Sequence, residues 1–474
     1  MKKYQLIGRK KVLIKKKDIS EKYSQYHLYS LPIELLIEIF DYCKDDKRAL
    51  LSLSLVCNKF NNIINKNFLY KTVCFQSSKV FYKFSINHLP SSSSSFVKRS
   101  RWNETSSKVN FIQNVKFLSP PSYKSIDHTT QIGGYQIEVD CRNSINTYNH
   151  YMDSFASLLK EAFGLKTVSI DEISPFFSFP IEFSQESLTL NYVWKKRQPS
   201  RVLDKLVLKA QSGWSIPFKL SHISLMLSVF DIINELVLHN FVLDDEKLLT
   251  GQLPKKLIVK KLTLQSCLYT NSNRKQRKVP DIFSEVLSLE LRHALSGNDL
   301  TILDLIKSNN RLSELSIDIG SSIFYKTVEN ERIFNFRKYN LFFQLICSGK
   351  GSFSTLKDLK LKNFDLFDTY GHIHNIKLND DNASSSSSID SFEELLEYLG
   401  NVEHLTIILK DKTNKLKTCI KCGFTENDRD FKSHELNPEV WAALLKPLFS
   451  STKQKSTKII TSKGREVYVN SKAT

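Results

Sequence analysis

No run of about eighteen apolar residues occurs anywhere in the 474-residue sequence, so no segment is expected to cross a bilayer as a helix. The opening MKKYQLIGRKKVLIKKK lacks a continuous apolar stretch and a small-residue cleavage site, which argues against a secretory signal. Cysteine pairing is missing too: the eight cysteines (43, 57, 74, 141, 267, 347, 419 and 422) mostly stand alone within apolar stretches. In a long chain with ample core residues, that pattern points to reduced thiols in the cytoplasm, the nucleus or both. Catalytic signatures are absent as well, with no phosphate-binding loop, nucleophile elbow or zinc-protease helix. The glycines of QIGGYQ lack the following Lys or Gly pattern and read as a turn. His372 and His374 in YGHIHN lie beside acids and read as a solvated loop.

What is present begins with composition and charge. Hydrophobic content of 41% and charged content of 25% belong to a folded chain. The net charge is +19, yet residues 1–17 carry eight Lys/Arg and no acid, and residues 451–474 carry six Lys/Arg against one Glu. Both ends, taken as 1–27 and 451–474, read as basic tails: solvated ends, import signals or nucleic-acid contacts. The body shows no basic stripe with interleaved aromatics, which argues against a nucleic-acid partner.

Repetition organises that body. The pattern Φ-x-x-Φ-x-Φ, with an apolar residue at Φ, starts at Ile112, Leu165, Leu203, Ile233, Val259, Val286, Leu312, Leu356 and Val402. The starts are 53, 38, 30, 26, 27, 26, 44 and 46 residues apart. The final Φ-x-Φ alternates like a short half-buried strand, and helical patterns such as SIDSFEELLEYLG fall between copies. A strand followed by a helix at a period of about 20–29 residues is the leucine-rich-repeat arrangement, whose units bury their apolar faces only by stacking. Residues 111–412 resemble an irregular leucine-rich-repeat solenoid with parallel strands on its concave face, carrying a Ser-rich insertion at 379–390. Cys267 takes the Asn/Cys position of that family's pattern. An ordinary α/β domain with similar strands is the other reading of the same residues.

SLPIELLIEIFDYC, from Ser30 to Cys43, has more apolar surface than one helix face requires. Glu34, Glu38 and Asp41 make a narrow polar stripe, while Ile33, Leu35, Leu36, Ile37, Ile39 and Phe40 wrap the rest; an amphipathic helix needs only about 100° of apolar face. Pro32 suits a helix start, KDDK is a polar break, and RALLSLSLVC fits either strand or helix. NKFNNIINKNF puts Phe60, Ile63 and Ile64 on one helical face. Three such short elements make a small core, so much of the apolar surface is free to meet something else.

Leu31-Pro32, Glu34-Leu35-Leu36, Ile39-Phe40, Leu53-Ser54-Leu55-Val56-Cys57, Phe60 and Leu69-Tyr70 together resemble an F-box, with Cys43 and Tyr70 standing where that family usually has Leu and Trp. The resemblance implies a three-helix unit over 28–75, helix for the ambiguous segment, and a linker with a Ser run over 76–110. It implies docking onto a Skp-family adaptor, and through it cullin and RING subunits, by Leu31, Pro32, Leu35, Ile39, Phe40, Leu53, Val56, Cys57 and Phe60. A ubiquitin-ligase receptor of this kind has no catalytic residue and no cofactor, and binds its client through the repeat region. A non-ligase adaptor complex, or a nuclear or nucleic-acid-associated scaffold using the basic ends, are the alternatives.

Two further residue sets complete the sequence reading. The polar positions of the strand motifs offer Lys209, His239, Arg292, Asp318 and Lys362 as client contacts, with both signs present and no arginine cluster of the kind that reads phosphate. In the segment 413–450, expected as a C-terminal cap, Cys419 and Cys422 form Cys-x-x-Cys, followed by His434. That is a partial zinc set, needing a fourth ligand such as His404, and no metal is expected on it.

Overall fold

The computed structural model describes residues 5–7, 10–12, 28–76, 78–89, 109–118, 155, 158–159, 161–171, 202–210, 220–223, 227, 230–244, 257–270, 285–292, 309, 311–318, 325–328, 331–334, 342–348, 354–364, 396–410, 438, 442, 445, 448 and 453–471. The chain divides into two units: residues 1–74, 84–115 and 157–165, and residues 75–83, 116–156 and 166–474.

In the first unit, β1 (Gln5–Ile7) pairs antiparallel with β2 (Lys10–Val12), inside the stretch expected as a basic tail. Pro32 takes the N-cap position of α1 (Ile33–Asp41). The KDDK break is a helix cap: Asp46 Oδ1 accepts the backbone N–H groups of Arg48 and Ala49 at 2.9 and 3.0 Å, opening α2 (Lys47–Ser54). That cap decides the ambiguous RALLSLSLVC in favour of helix. Then α3 (Asn58–Ile64) runs into a π-turn over Asn65–Leu69. Leu36, Phe40, Leu50, Phe60, Ile63 and Ile64 close the core, with the Phe40 and Phe60 rings edge-on at 5.0 Å. Lys59 Nζ donates to the Leu31 carbonyl at 2.7 Å and ties α3 to the entry of α1.

The remaining strands are β3 (Thr72–Phe75), β4 (Asn114–Phe117), β5 (Thr167–Ile170), β6 (Val202–Lys209), β7 (Ile232–His239), β8 (Val242–Asp244), β9 (Ile258–Gln265), β10 (Leu268–Thr270), β11 (Ser288–Arg292), β12 (Glu314–Asp318), β13 (Tyr325–Val328), β14 (Glu331–Phe334), β15 (Asp358–Phe364), β16 (His404–Leu409), β17 (Ser456–Ile460) and β18 (Glu466–Ser471). One sheet takes them in the order β3-β4-β5-β6-β7-β9-β11-β12-β15-β16-β17-β18, so strand order follows chain order. From β5 to β17 every neighbouring pair is parallel, and β18 turns back antiparallel. The β8–β10 and β13–β14 pairs stand apart from this sheet.

All nine Φ-x-x-Φ-x-Φ copies map onto its strands, and their three apolar positions are buried throughout, Leu356 being the most exposed at 7%. The register stacks like on like. Val168 pairs with Leu206, and the column continues through Leu236, Leu262, Leu289, Leu315 and Leu359 to Leu405. A recurrent hydrogen bond marks the same place in several copies. The carbonyl one residue after the first Φ accepts two successive N–H groups from the next strand, at Lys71, Lys166, Leu287, Ser313 and Glu403.

This device and the register add two copies. Tyr70-x-x-Val73-x-Phe75 ends in β3, and Gln454-x-x-Thr457-x-Ile459 ends in β17. Segment 451–474 is therefore not a tail where described: Thr457 and Ile459 extend the Leu405 and Ile407 columns. Gln454 and Thr457 are 1% and 0% exposed, and Gln454 Nε2 donates to Thr457 Oγ1 at 3.0 Å, so two polar residues fill apolar places by bonding each other. Residues 76–110 are likewise more than a linker. They include α4 (Ser78–His88), whose buried Phe81 ring lies 4.9 Å from Phe75 and 5.1 Å from Phe117. Both Ser runs, the 379–390 insertion, and Cys419, Cys422 and His434 lie outside the described residues.

Strand exits are alike as well. Asn240, Ser266 and Asn363 each follow the third Φ by two residues and adopt left-handed φ of 63°, 51° and 54°, a region that short polar side chains tolerate. Cys267 Sγ donates to the Leu238 and Gln265 carbonyls, at 3.4 Å each. Burial pushes this thiol up to about 12, so it stays a protonated donor. Leu236→Ala, in the middle of the column, is expected to lower stability by about 2–5 kcal/mol in urea unfolding. A loss below about 1 kcal/mol would contradict column packing.

Candidate functional site

Helix α1 has two apolar faces. Leu36 and Phe40 turn inward onto Phe60, while Ile33, Leu35 and Ile39 are 50%, 45% and 37% exposed. The end of α2 and the turn after it expose Leu51, Leu55 and Val56 as well, at 52%, 83% and 66%. Cys57 caps α3, its Sγ accepting the Phe60 N–H at 3.4 Å.

The expected adaptor contacts divide accordingly. Pro32, Leu35, Ile39 and Val56 are exposed; Leu31, Leu53 and Cys57 are half-buried against the core. Phe40 and Phe60 are corrected to core residues, at 1% and 3%, because helical spacing places both on the inner faces. Ile33, Leu51, Leu55 and Tyr42 were not expected on the outer surface. For Leu51 and Leu55 the signal was their i, i+4 spacing, legible only once α2 is read as helix.

Residues 28–76 match the F-box-like family. No curated protein matches the chain. The F-box-like domain ends one residue past β3, so the first repeat copy lies inside it. Such domains are typically non-catalytic and generally bind Skp-type adaptors, which suggests a substrate-receptor role in broad terms.

On the polar face of the sheet, opposite the Φ columns, the expected client residues fall at equivalent strand positions. Lys209, His239, Gln265 and Arg292 are successive register partners, and Asp318 pairs with Lys362. Their charges are largely satisfied. Lys209 pairs with Asp171 at 2.8 Å, and Arg292 Nε donates to Glu290 Oε1 at 2.7 Å, where Lys362 Nζ also donates. Asp318 is 3% exposed and accepts Asn363 Nδ2 at 2.7 Å, so it is a buried structural group and not a client contact. His239 is half-buried.

Burial pushes the Glu290 carboxyl up, but the hydrogen bonds and charges of Arg292 and Lys362 more than offset this and hold it at about 2. His404, the candidate fourth zinc ligand, has Nδ1 2.7 Å from Ser456 Oγ. Among the described residues no group of three His, Cys, Asp or Glu is placed to hold a metal.

Phe40→Ala is expected to cost about 3–5 kcal/mol and strip hydrogen-exchange protection from residues 33–64, while Val56→Ser stays within about 0.5 kcal/mol. Similar losses in both would contradict the division into inner and outer faces. Between its ordinary 4.5 and about 2, Glu290 holds fewer protons folded than unfolded. Its contribution is thus complete above about pH 5 and lost as pH falls toward 2, about 3 kcal/mol in all. Glu290→Gln should flatten that acid limb of the unfolding free energy; an unchanged limb would remove the clamp.

Proposed function

We propose that this chain is a substrate receptor of an SCF-type ubiquitin ligase. Its F-box-like domain docks onto a Skp-family adaptor that links it to cullin and RING subunits, and its repeat region holds a client protein. The observation that carries this reading is the exposure of Ile33, Leu35, Ile39, Leu51, Leu55 and Val56, left outside a core that Leu36, Phe40 and Phe60 already close. Large apolar side chains left exposed beside a closed core mark a protein interface. Each large side chain buried on docking contributes about 1.5–3 kcal/mol in gross terms, before the cost of association.

Chain-order parallel strands, like-on-like columns and the repeated carbonyl device support reading the second region as a leucine-rich-repeat-like solenoid. Its polar face is the client surface. The receptor contributes proximity and orientation, and the transfer chemistry belongs to other subunits. The described cysteines are free thiols, consistent with work in the cytoplasm, the nucleus or both.

A full-length Leu35→Glu, Val56→Glu double variant replaces two exposed residues and should fold normally, yet lose co-purification of the Skp-family adaptor and cullin. A folded double variant that keeps the adaptor at wild-type levels would defeat the reading. Adaptor without cullin, in the wild type, would instead indicate a non-ligase assembly.

A further inference from the structure

Most cations on the polar face are neutralised within the sheet. Lys205 and Lys261 share Glu235 at 3.0 and 3.7 Å, Lys209 pairs with Asp171, and Arg292 and Lys362 share Glu290. Lys360 on β15 and Lys458 on β17 differ: among the described residues neither has an ion-pair partner. They flank Thr406 on β16, which is the register partner of both. Two interstrand spacings put the lysine Cα atoms about 10 Å apart, a gap that two four-carbon side chains can close over one segment. Lys458 is exposed and Lys360 half-buried. Glu290 lies on the same row two strands away but is taken by Arg292 and Lys362, Glu314 and Asp358 belong to the preceding row, and none of the three pairs with Lys360 among the described residues.

We infer that Lys360, Thr406 and Lys458 form the charge-reading part of the client surface and take a carboxylate-rich protein segment. The inference rests on the receptor reading above. Two ammonium groups beside a hydroxyl, with no ion-pair partner among the described residues, are suited to taking anionic oxygens. No arginine stands at these positions to offer the planar fork that favours bidentate phosphate recognition. The compact ammoniums suit carboxylates arriving from different directions.

The test uses the full chain and a fluorescent peptide of alternating Glu and Gly, measured by polarisation against its Gln/Gly analogue and a phosphoserine/Gly peptide. Because the chain carries a net +19, general attraction must be separated from the site. Two double variants remove the same charge at different places: Lys360→Gln with Lys458→Gln, and Lys166→Gln with Lys463→Gln, the latter two exposed and outside the strands. The first should weaken Glu-peptide binding by about tenfold and the second by less than about twofold, with adaptor co-purification unchanged in both. Equal losses in the two variants, equal binding of the Gln peptide, or a site-dependent loss seen with the phosphoserine peptide alone would overturn the inference. Site-dependent binding of the Glu peptide by a chain that captures no adaptor would uphold this site while removing the receptor reading.

Discussion

Aliphatic columns running from strand to strand hold the sheet, and everything on its polar face takes its spacing from them. In a parallel sheet a slip of one residue would turn every Leu of a strand toward the wrong side. Stacking Leu206, Leu236, Leu262, Leu289 and Leu315 in line fixes the register of each strand against the next. Once that is fixed, the residues between them have no choice of neighbour: Lys205 must stand beside Glu235, and Thr406 between two lysines. The charge pattern of the face follows from a packing rule about the opposite side.

The F-box-like domain solves a different problem with the same kind of residue. Nine residues of α1 supply both a wall of the core and an outward surface, which is why adjacent positions have opposite fates: Phe40 is packed on Phe60 while Ile39 faces out. The polar stripe of Glu34, Glu38 and Asp41 separates the two faces and keeps the helix from being apolar all round.

Much of this was legible in the sequence because it rests on periodicity. Every copy of the motif with three apolar residues became a strand, and Phe60, Ile63 and Ile64 became the core side of α3. What escaped did so for physical reasons. Gln454 donates to Thr457 inside the core, so a copy of the motif survives without its hydrophobic signal, hidden in a segment whose net charge suggested solvent. Tyr70, Val73 and Phe75 do carry the signal, but they overlap the end of the F-box pattern. Composition marks a face as polar but does not reveal that Asp318 is buried or that Glu290 is held by two cations, since those facts depend on which strands become neighbours.

One of those contacts has a mechanical meaning. A stack in which each strand grips only the strands beside it comes apart from its ends, one rung at a time. Lys362 on β15 passes over β12 to reach Glu290 on β11, binding two rungs that are not adjacent. The chain makes one of its longest detours here, with 44 residues between the motif starts at Leu312 and Leu356 instead of the 26 or 27 of the copies just before. Across this long step the ladder is cross-braced, so loosening β15 from β12 also has to break its hold on β11.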